Sequence, residues 1–176
     1  MKRTLVAALL AVAVCAASGC HRKKKTEPEA AAEAGPHIAS TVHLGDPKSV
    51  PQLIGGFYDI ESGAWRWTGK QFTVDLGVPL GAAQKGAALT LDLTVPPVVI
   101  EKGKSVTLAA SVDGNPLPPE TYQTPGDYTY RRDVPAALLG HDSVRVTFTL
   151  DKTIQAGGGD LRDLGIIATT VGLQAK

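Results

Sequence analysis

The chain is short of several things that would have named its work. Among 176 residues there are two cysteines, Cys15 and Cys20, and the single methionine is Met1. Everything after Cys20 therefore has no thiol for a disulfide framework or a thiolate zinc site. Lys and Arg number 18 against 17 Asp and Glu, a net charge of +1, so no global field is available to attract nucleic acid. The longest apolar run, Leu5 to Ala17, stops well short of the ~20 residues a permanent transmembrane helix needs. No repeat of fixed period occurs, which excludes solenoids and propellers. Catalytic patterns are missing as well. There is no G-x-S-x-G elbow, and Gly103-Lys104-Ser105 has Val98 where a phosphate-binding loop needs its leading glycine. His37, His43 and His141 are scattered, and no calcium-loop pattern appears. A non-catalytic protein is expected, with no cofactor or metal.

What is present begins with an address. Met1-Lys2-Arg3-Thr4 is a cationic head, Leu5 to Ala17 an apolar core, and Ala17-Ser18-Gly19-Cys20 the end of the segment. This block resembles the bacterial lipobox, whose small residues precede a cysteine that is cleaved before and acylated. Ala17 stands where that pattern prefers Leu, and the rival Cys15 is preceded by Val14, too large for the small-residue position. The resemblance implies a lipidated Cys20 as partner of membrane lipid, several acyl chains giving stable residence where one would be marginal. His21 rather than Asp after the cysteine implies the outer membrane in preference to the inner. His21-Arg22-Lys23-Lys24-Lys25 would lie on anionic headgroups, and Thr26 to His37, acidic and Ala-rich between prolines, reads as a tether. The expected organisation is a signal peptide over 1–19, lipidated cysteine, basic cluster and linker over 20–40, and a folded domain over 41–176.

That domain is expected to be all-β. Alternation recurs in Phe72-Val74-Leu76-Val78, Leu89-Leu91-Leu93-Val95, Val106-Leu108-Ala110-Val112 and Val144-Val146-Phe148-Leu150, each giving one dry and one wet face. Phe57–Ile60 and Ala64–Thr68 are shorter strands, and Leu164 to Leu173 is apolar on both faces, hence central. Ile38 to Ile54, broken by Pro47 and Pro51, should wrap an edge. Pro96-Pro97 ends a strand, Asp113-Gly114-Asn115 turns the chain into a rigid loop at Pro116 to Pro119, and Gln155 to Asp163 reads as a glycine-rich loop. Strands without intervening helices predict a two-layer antiparallel β-sandwich, jelly-roll-like or immunoglobulin-like.

Aromatics are scarce (Trp 2, Tyr 4, Phe 3), and Gly55 to Thr68, GGFYDIESGAWRWT, holds both tryptophans together with Phe57 and Tyr58. Trp65 and Trp67 share a strand face and Arg66 takes the other. Two roles are open for the tryptophans, a platform for the C–H face of a sugar ring or a seal on the core. Glu61 and Arg66 have the chemistry for a bidentate pair. Asp160 and Arg162, after three glycines, suit either a ligand or a loop pinned against the Glu61–Arg66 region. Tyr122, Tyr128 and Tyr130 with Arg131 and Arg132 make a second cluster, read as a half-exposed sheet face.

The runs GFYDIES, WRWTGKQFTVDL, LTLDLTVPP, VTLAASVDGNPL, DSVRVTFTL and DLRDLGII resemble bacterial β-sandwich accessory domains of cell-surface glycosyltransferases and envelope proteins, similar in turn to carbohydrate-binding jelly rolls. The resemblance spans Gly55 to Leu173 and matches at Tyr58, Glu61, Arg66, Trp67, Asp160, Arg162 and Gly165. It implies an envelope protein binding glycan or another envelope component. The alternative is a structural or protein-interaction module without a glycan ligand. Candidate ligand-binding residues are Tyr58, Glu61, Trp65, Arg66, Trp67, Asp160 and Arg162, and no nucleic acid is expected as partner.

The anchor has a direct check. Cys20→Ser should block signal removal and release the protein from membranes on fractionation, whereas continued membrane partitioning of the variant refutes the lipobox reading.

Overall fold

Alternating runs of branched and aromatic residues become strands in the computed structural model, which describes residues 38–157 and 159–176. The expected signal peptide, Cys20, the basic cluster and most of the tether lie outside those residues. The strands are β1 (Thr41–His43), β2 (Leu53–Glu61), β3 (Trp65–Gly77), β4 (Ala87–Val95), β5 (Val106–Val112), β6 (Asn115–Tyr122), β7 (Gly126–Val134), β8 (Ser143–Leu150), β9 (Ile154–Gly157), β10 (Asp160–Leu164) and β11 (Ile167–Ala175). Two short helices, α1 (Ala82–Lys85) and α2 (Pro97–Gly103), sit in connections. The all-β expectation holds.

The pairing resolves into two layers that share β3. Gln71 to Gly77 of β3 pair with β8, which pairs with β5 and through it β6. Trp67 and Arg66, at the other end of β3, pair with Ile167 and Ala168 of β11, and β11 leads to β4 and then β7. β1 lies along β11 beyond this contact, and β2 borders β3. Every pair is antiparallel. The crossing point is tight: Gly165 N–H donates to the Thr68 carbonyl at 2.7 Å, and a Cβ on Gly165 would stand 2.4 Å from Leu150 Cδ1.

The dry faces meet between the layers. Phe72, Val74 and Leu76 of β3 join Val106, Leu108, Val144, Val146, Phe148 and Leu150 against Leu89, Leu91, Val95, Tyr130, Val171 and Leu173. Phe72 stacks on Phe148 at 5.0 Å, and Tyr130 meets Phe148 edge-on at 6.2 Å, bridging the layers. Burial of some thirty such side chains, each contributing roughly 1.5–3 kcal/mol, is the main cohesive term.

Three local expectations are corrected. The turn at Asp113-Gly114 is present, but Pro116 to Pro119, expected as a rigid loop, lies within strand β6; the strand tolerates Pro116, Pro118 and Pro119 because it is paired only with β5, with an irregularity between Leu108 and Ala110 opposite the prolines. Gln155 to Asp163 is not a loop but most of the β9–β10 hairpin. Tyr128 and Tyr130 do not form a half-exposed face. They point inward, and Tyr130 is fully buried. With Arg132 they close the gap between β6 and β7: Tyr130 Oη donates to the Pro118 carbonyl at 2.9 Å, and Arg132 donates to the carbonyls of Pro118 and Pro119 at 2.7 and 2.9 Å. Side chains thus cap carbonyls that proline-bearing β6 would otherwise expose.

In β2 the ladder is irregular between Gly55 and Phe57. Gly56 has φ 79°, and a Cβ there would fall 1.9 Å from the Gln71 carbonyl oxygen. Gly63, in the β2–β3 turn, also has positive φ (64°) but open space around it. Gly63→Ala should therefore cost about 1 kcal/mol for the left-handed backbone alone. Gly56→Ala should cost about 3 kcal/mol or more, because β2 must move off β3. Urea unfolding of the pair measures the difference, and equal effects would rule out this close approach of β2 to β3.

Candidate functional site

β3 alternates over Trp65–Thr68 and again over Phe72–Leu76, and that parity decides where each candidate goes. Arg66, Thr68, Phe72, Val74 and Leu76 are buried, so Trp65 and Trp67 stand on the outer face, both half-buried. They meet edge-on, 6.3 Å between centroids at 79°. Trp67 also packs against the margin of the core. Neither role left open by the sequence is complete: Trp67 seals an edge while still presenting surface.

Arg66 is the main correction. Its side chain is 7% exposed, with Nε donating to the Leu44 carbonyl at 2.9 Å and Nη1 to the Tyr58 carbonyl at 2.8 Å. The expected Glu61–Arg66 pair is not formed. Ile60 stands opposite Arg66 and Glu61 opposite Trp65, so Glu61 shares the outer face while the guanidinium is turned inward.

Glu61 instead meets Arg162, Oε1 to Nη1 at 2.9 Å. Arg162 also chelates Asp160 through Nε and Nη2, at 2.9 and 2.8 Å to Oδ2, and lies over the Tyr58 ring at 5.3 Å. The Tyr58 hydroxyl donates to the Asp163 carbonyl at 3.0 Å. Six of the seven candidates (Tyr58, Glu61, Trp65, Trp67, Asp160 and Arg162) thus lie on or beside one surface, where β10 is strapped to β2, and Arg66 is turned inward. The hydrogen bonds from Arg162 hold the Asp160 carboxyl below the usual aspartate range and raise the guanidinium further above its own.

The same outer face continues past the tryptophans. Trp67 is opposite Ile167, Ile167 opposite Thr94, and Thr94 opposite Asp127, a single row across β3, β11, β4 and β7. Opposed residues share a face, so the row is continuous. At its far end an open groove of about 440 Å³ is lined by Asp92, Thr94, Asp127, Thr129 and Thr169 with backbone of Leu93 and Tyr128. Thr129 donates to Asp92 Oδ1 at 2.7 Å, Thr94 to Asp127 Oδ1 at 2.5 Å, and Thr169 to the Asp92 carbonyl at 3.2 Å. Thr169 reaches the groove because the β11 register slips between Ala168 and Thr170, making it the extra residue of a bulge. None of these residues was singled out from the sequence. They are the wet positions of ordinary-looking strands, and only the β4–β7 and β4–β11 pairings assemble them.

Among the described residues no group of three or more His, Cys, Asp or Glu side chains is arranged to hold a metal ion.

The strap has an acid-side signature. Asp160 has a depressed folded-state value, so its contribution is fully present above the ordinary aspartate value of about 3.9 and is lost as pH falls through the lower folded value. Amide protection factors in β9–β10, with the intrinsic pH dependence of exchange removed, should therefore fall in that acid window and stay flat above it. Asp160→Asn should remove the pH step. The same step in the variant would assign it to another carboxylate.

No family model and no curated protein matches the chain. Solved structures give remote likenesses. One is a family GH115 4-O-methyl-α-glucuronidase with specificity for decorated arabinogalactans, at 15% identity and TM-score 0.49, over 84% of this chain and 19% of that one. Another is the CBM36-1 domain of a multidomain xylanase from the hindgut metagenome of Trinervitermes trinervoides, at 12% identity and TM-score 0.38, over 75% and 94%. A third is the CBM51-2 and INT domains of Clostridium perfringens ZmpB, in complex with GlcNAc, at 14% identity and TM-score 0.37, over 62% and 22%. The chain spans about a fifth of the length of the glucuronidase. The two-layer architecture itself rests on the strand pairing, independently of these likenesses.

Proposed function

We propose that this chain is a non-catalytic glycan-binding β-sandwich held at the cell envelope, on the outer membrane, by a lipidated Cys20. The observation that carries the binding reading is the edge-on Trp65–Trp67 pair on an outer face, in strand register with the polar groove at Asp92, Thr94 and Asp127. A pyranose ring needs an aromatic plane for its C–H face and hydrogen-bonding groups beside that plane for its hydroxyls. Both are within one layer here, Trp67 and Thr94 being two strands, about 10 Å, apart. The Arg162 strap borders the opposite side of the aromatic pair, through Glu61 opposite Trp65. Arg66 supports this surface from beneath and does not contact the ligand.

One observation favours a second reading, a protein-interaction module of an envelope assembly. Leu161 on β10 is 94% exposed beside Arg162, an apolar side chain with no packing role.

Trp65→Ala and Trp67→Ala should each weaken retention on cell-wall or exopolysaccharide resins by about tenfold or more. Trp65→Ala should leave the thermal unfolding midpoint nearly unchanged, whereas Trp67→Ala should lower it because Trp67 touches the core. Unaltered retention in both variants, with a single protein trapped by envelope crosslinking and lost in Leu161→Ser, would support the second reading instead.

A further inference from the structure

The groove beside the tryptophans has an uneven hydrogen-bonding character. Three hydroxyls line it, and all three hydrogens are already directed to protein acceptors: Thr129 to Asp92, Thr94 to Asp127, and Thr169 to the Asp92 carbonyl. A hydroxyl has one hydrogen and two lone pairs, so each now faces the groove as an acceptor. Each carboxylate uses one oxygen on a threonine and keeps the other, Oδ2 in both, unengaged by the described residues. Among the described residues the side chains of the groove thus offer acceptors and two negative charges, with no lysine, arginine or histidine in the lining.

The opposite layer shows that this is not the general state of the outer surface. There Asp75 is held by Arg145 at 2.8 Å, and the threonines pair with one another, Thr73 with Thr147 and Thr107 with Thr121. The carboxylate on that face has a guanidinium partner, whereas Asp92 and Asp127 have threonines. The nearest basic groups sharing the groove's face lie outside it. Arg131 stands opposite Thr90, two positions beyond Thr129 on β7. His43 on β1 is occupied with Thr170 at 3.3 Å, and Lys176 is paired with Asp133 at 2.9 Å.

Resting on the glycan reading of this same face, we infer that the groove selects a donor-rich, cationic sugar, an unsubstituted amino-hexose unit, and rejects uronates and other anionic sugars. An ammonium group brings three donors to two carboxylates that each have a free oxygen, the strong charge-assisted arrangement. A uronate carboxylate brings only acceptors, to a groove whose side chains offer none but acceptors, and meets two like charges. A neutral hydroxyl is accommodated but gains no charge assistance.

Three oligosaccharides with one backbone separate these cases: β-1,4-linked glucosamine hexamer, cellohexaose, and the C6-oxidised glucuronate hexamer. They differ only in an ammonium at C2, a hydroxyl, or a carboxylate at C6. Titration calorimetry on the full chain in detergent, at about pH 6 where amines are protonated, should rank them in that order. The expected separation is about tenfold between the first two, weakening as added salt screens the carboxylates. Asp92→Asn and Asp127→Asn keep an acceptor for Thr129 and Thr94 and remove only charge. Each should reduce the glucosamine preference several-fold, and the double variant should abolish it. Equal binding of glucosamine and cello-oligomers, or binding of the glucuronate lost in Arg131→Ala, overturns the inference and leaves the glycan reading in place. If none of the three binds, the inference also fails. Tryptophan-dependent retention on other polysaccharide resins would then show that the glycan reading survives it, and loss of that retention as well would end both.

Discussion

One strand's parity governs the whole surface. β3 runs through both layers, and it turns Arg66 and Thr68 inward in one and Phe72, Val74 and Leu76 inward in the other, with Lys70 exposed between them. Arg66 is a costly position, because a guanidinium removed from water without a carboxylate partner among the described residues must be compensated by hydrogen bonds. The carbonyls of Leu44 and Tyr58 supply them, one just past the end of β1 and the other within β2. The same bonds draw three strands together at the crossing between layers, where Thr68, fully buried, accepts from Ile166 N–H through its hydroxyl. With Arg66 committed inward, Trp65 and Trp67 have only the outer face to occupy. Shifting β3 by one residue would turn the tryptophans into the core and expose Phe72, Val74 and Leu76.

The sandwich leaves that face open by closing itself elsewhere. Between β6 and β7 the closure is made by Tyr130 and Arg132 reaching carbonyls of the prolines, with Arg132 lying over Tyr130 at 4.4 Å and bridging to Glu120 at 2.9 Å. At the opposite end the β9–β10 hairpin is strapped to β2 by Arg162. Both closures use an arginine whose planar fork satisfies several acceptors at once, a task a lysine point charge would do less well. Between them the outer side of β3, β11, β4 and β7 carries no covering element among the described residues.

Much of the architecture was legible because its signal is local. Period-2 runs at Leu89 to Val95 and Val144 to Leu150 named their own dry faces, and the alternation of Trp65, Arg66 and Trp67 placed the tryptophans together and Arg66 apart. What failed was partner choice. Glu61 has Arg66 five residues away and Arg162 a hundred and one residues away, yet pairs with the distant one. Composition marked both arginines, but only the hairpin brings the second within reach. The prolines of β6 misled for a different reason: they forbid a central strand and permit an edge, and edge position is a property of topology. The groove was invisible because Asp92 and Asp127 sit on strands separated in sequence by β5 and β6, and an aspartate on the wet face of a strand is unremarkable until its neighbour is known.

The groove is open, so on the proposed reading its affinity at one site would depend on how little must be ordered when a ligand arrives. Each groove threonine is already fixed by an acceptor and each aspartate by a threonine, while the tryptophans hold one another edge-on, which keeps the ordering cost low. On the proposed glycan reading, a groove exposed along one side would bury only part of an oligosaccharide, and contacts on one face alone would favour rapid release. Anchoring through Cys20, as proposed, changes that balance. Many copies confined to one membrane would meet a repeating polymer at high effective concentration, and avidity would rise without any new contact in the groove. On that view a flat, preorganised platform suits the task better than a deep pocket, since successive units of a long chain can be gripped and released without unthreading it.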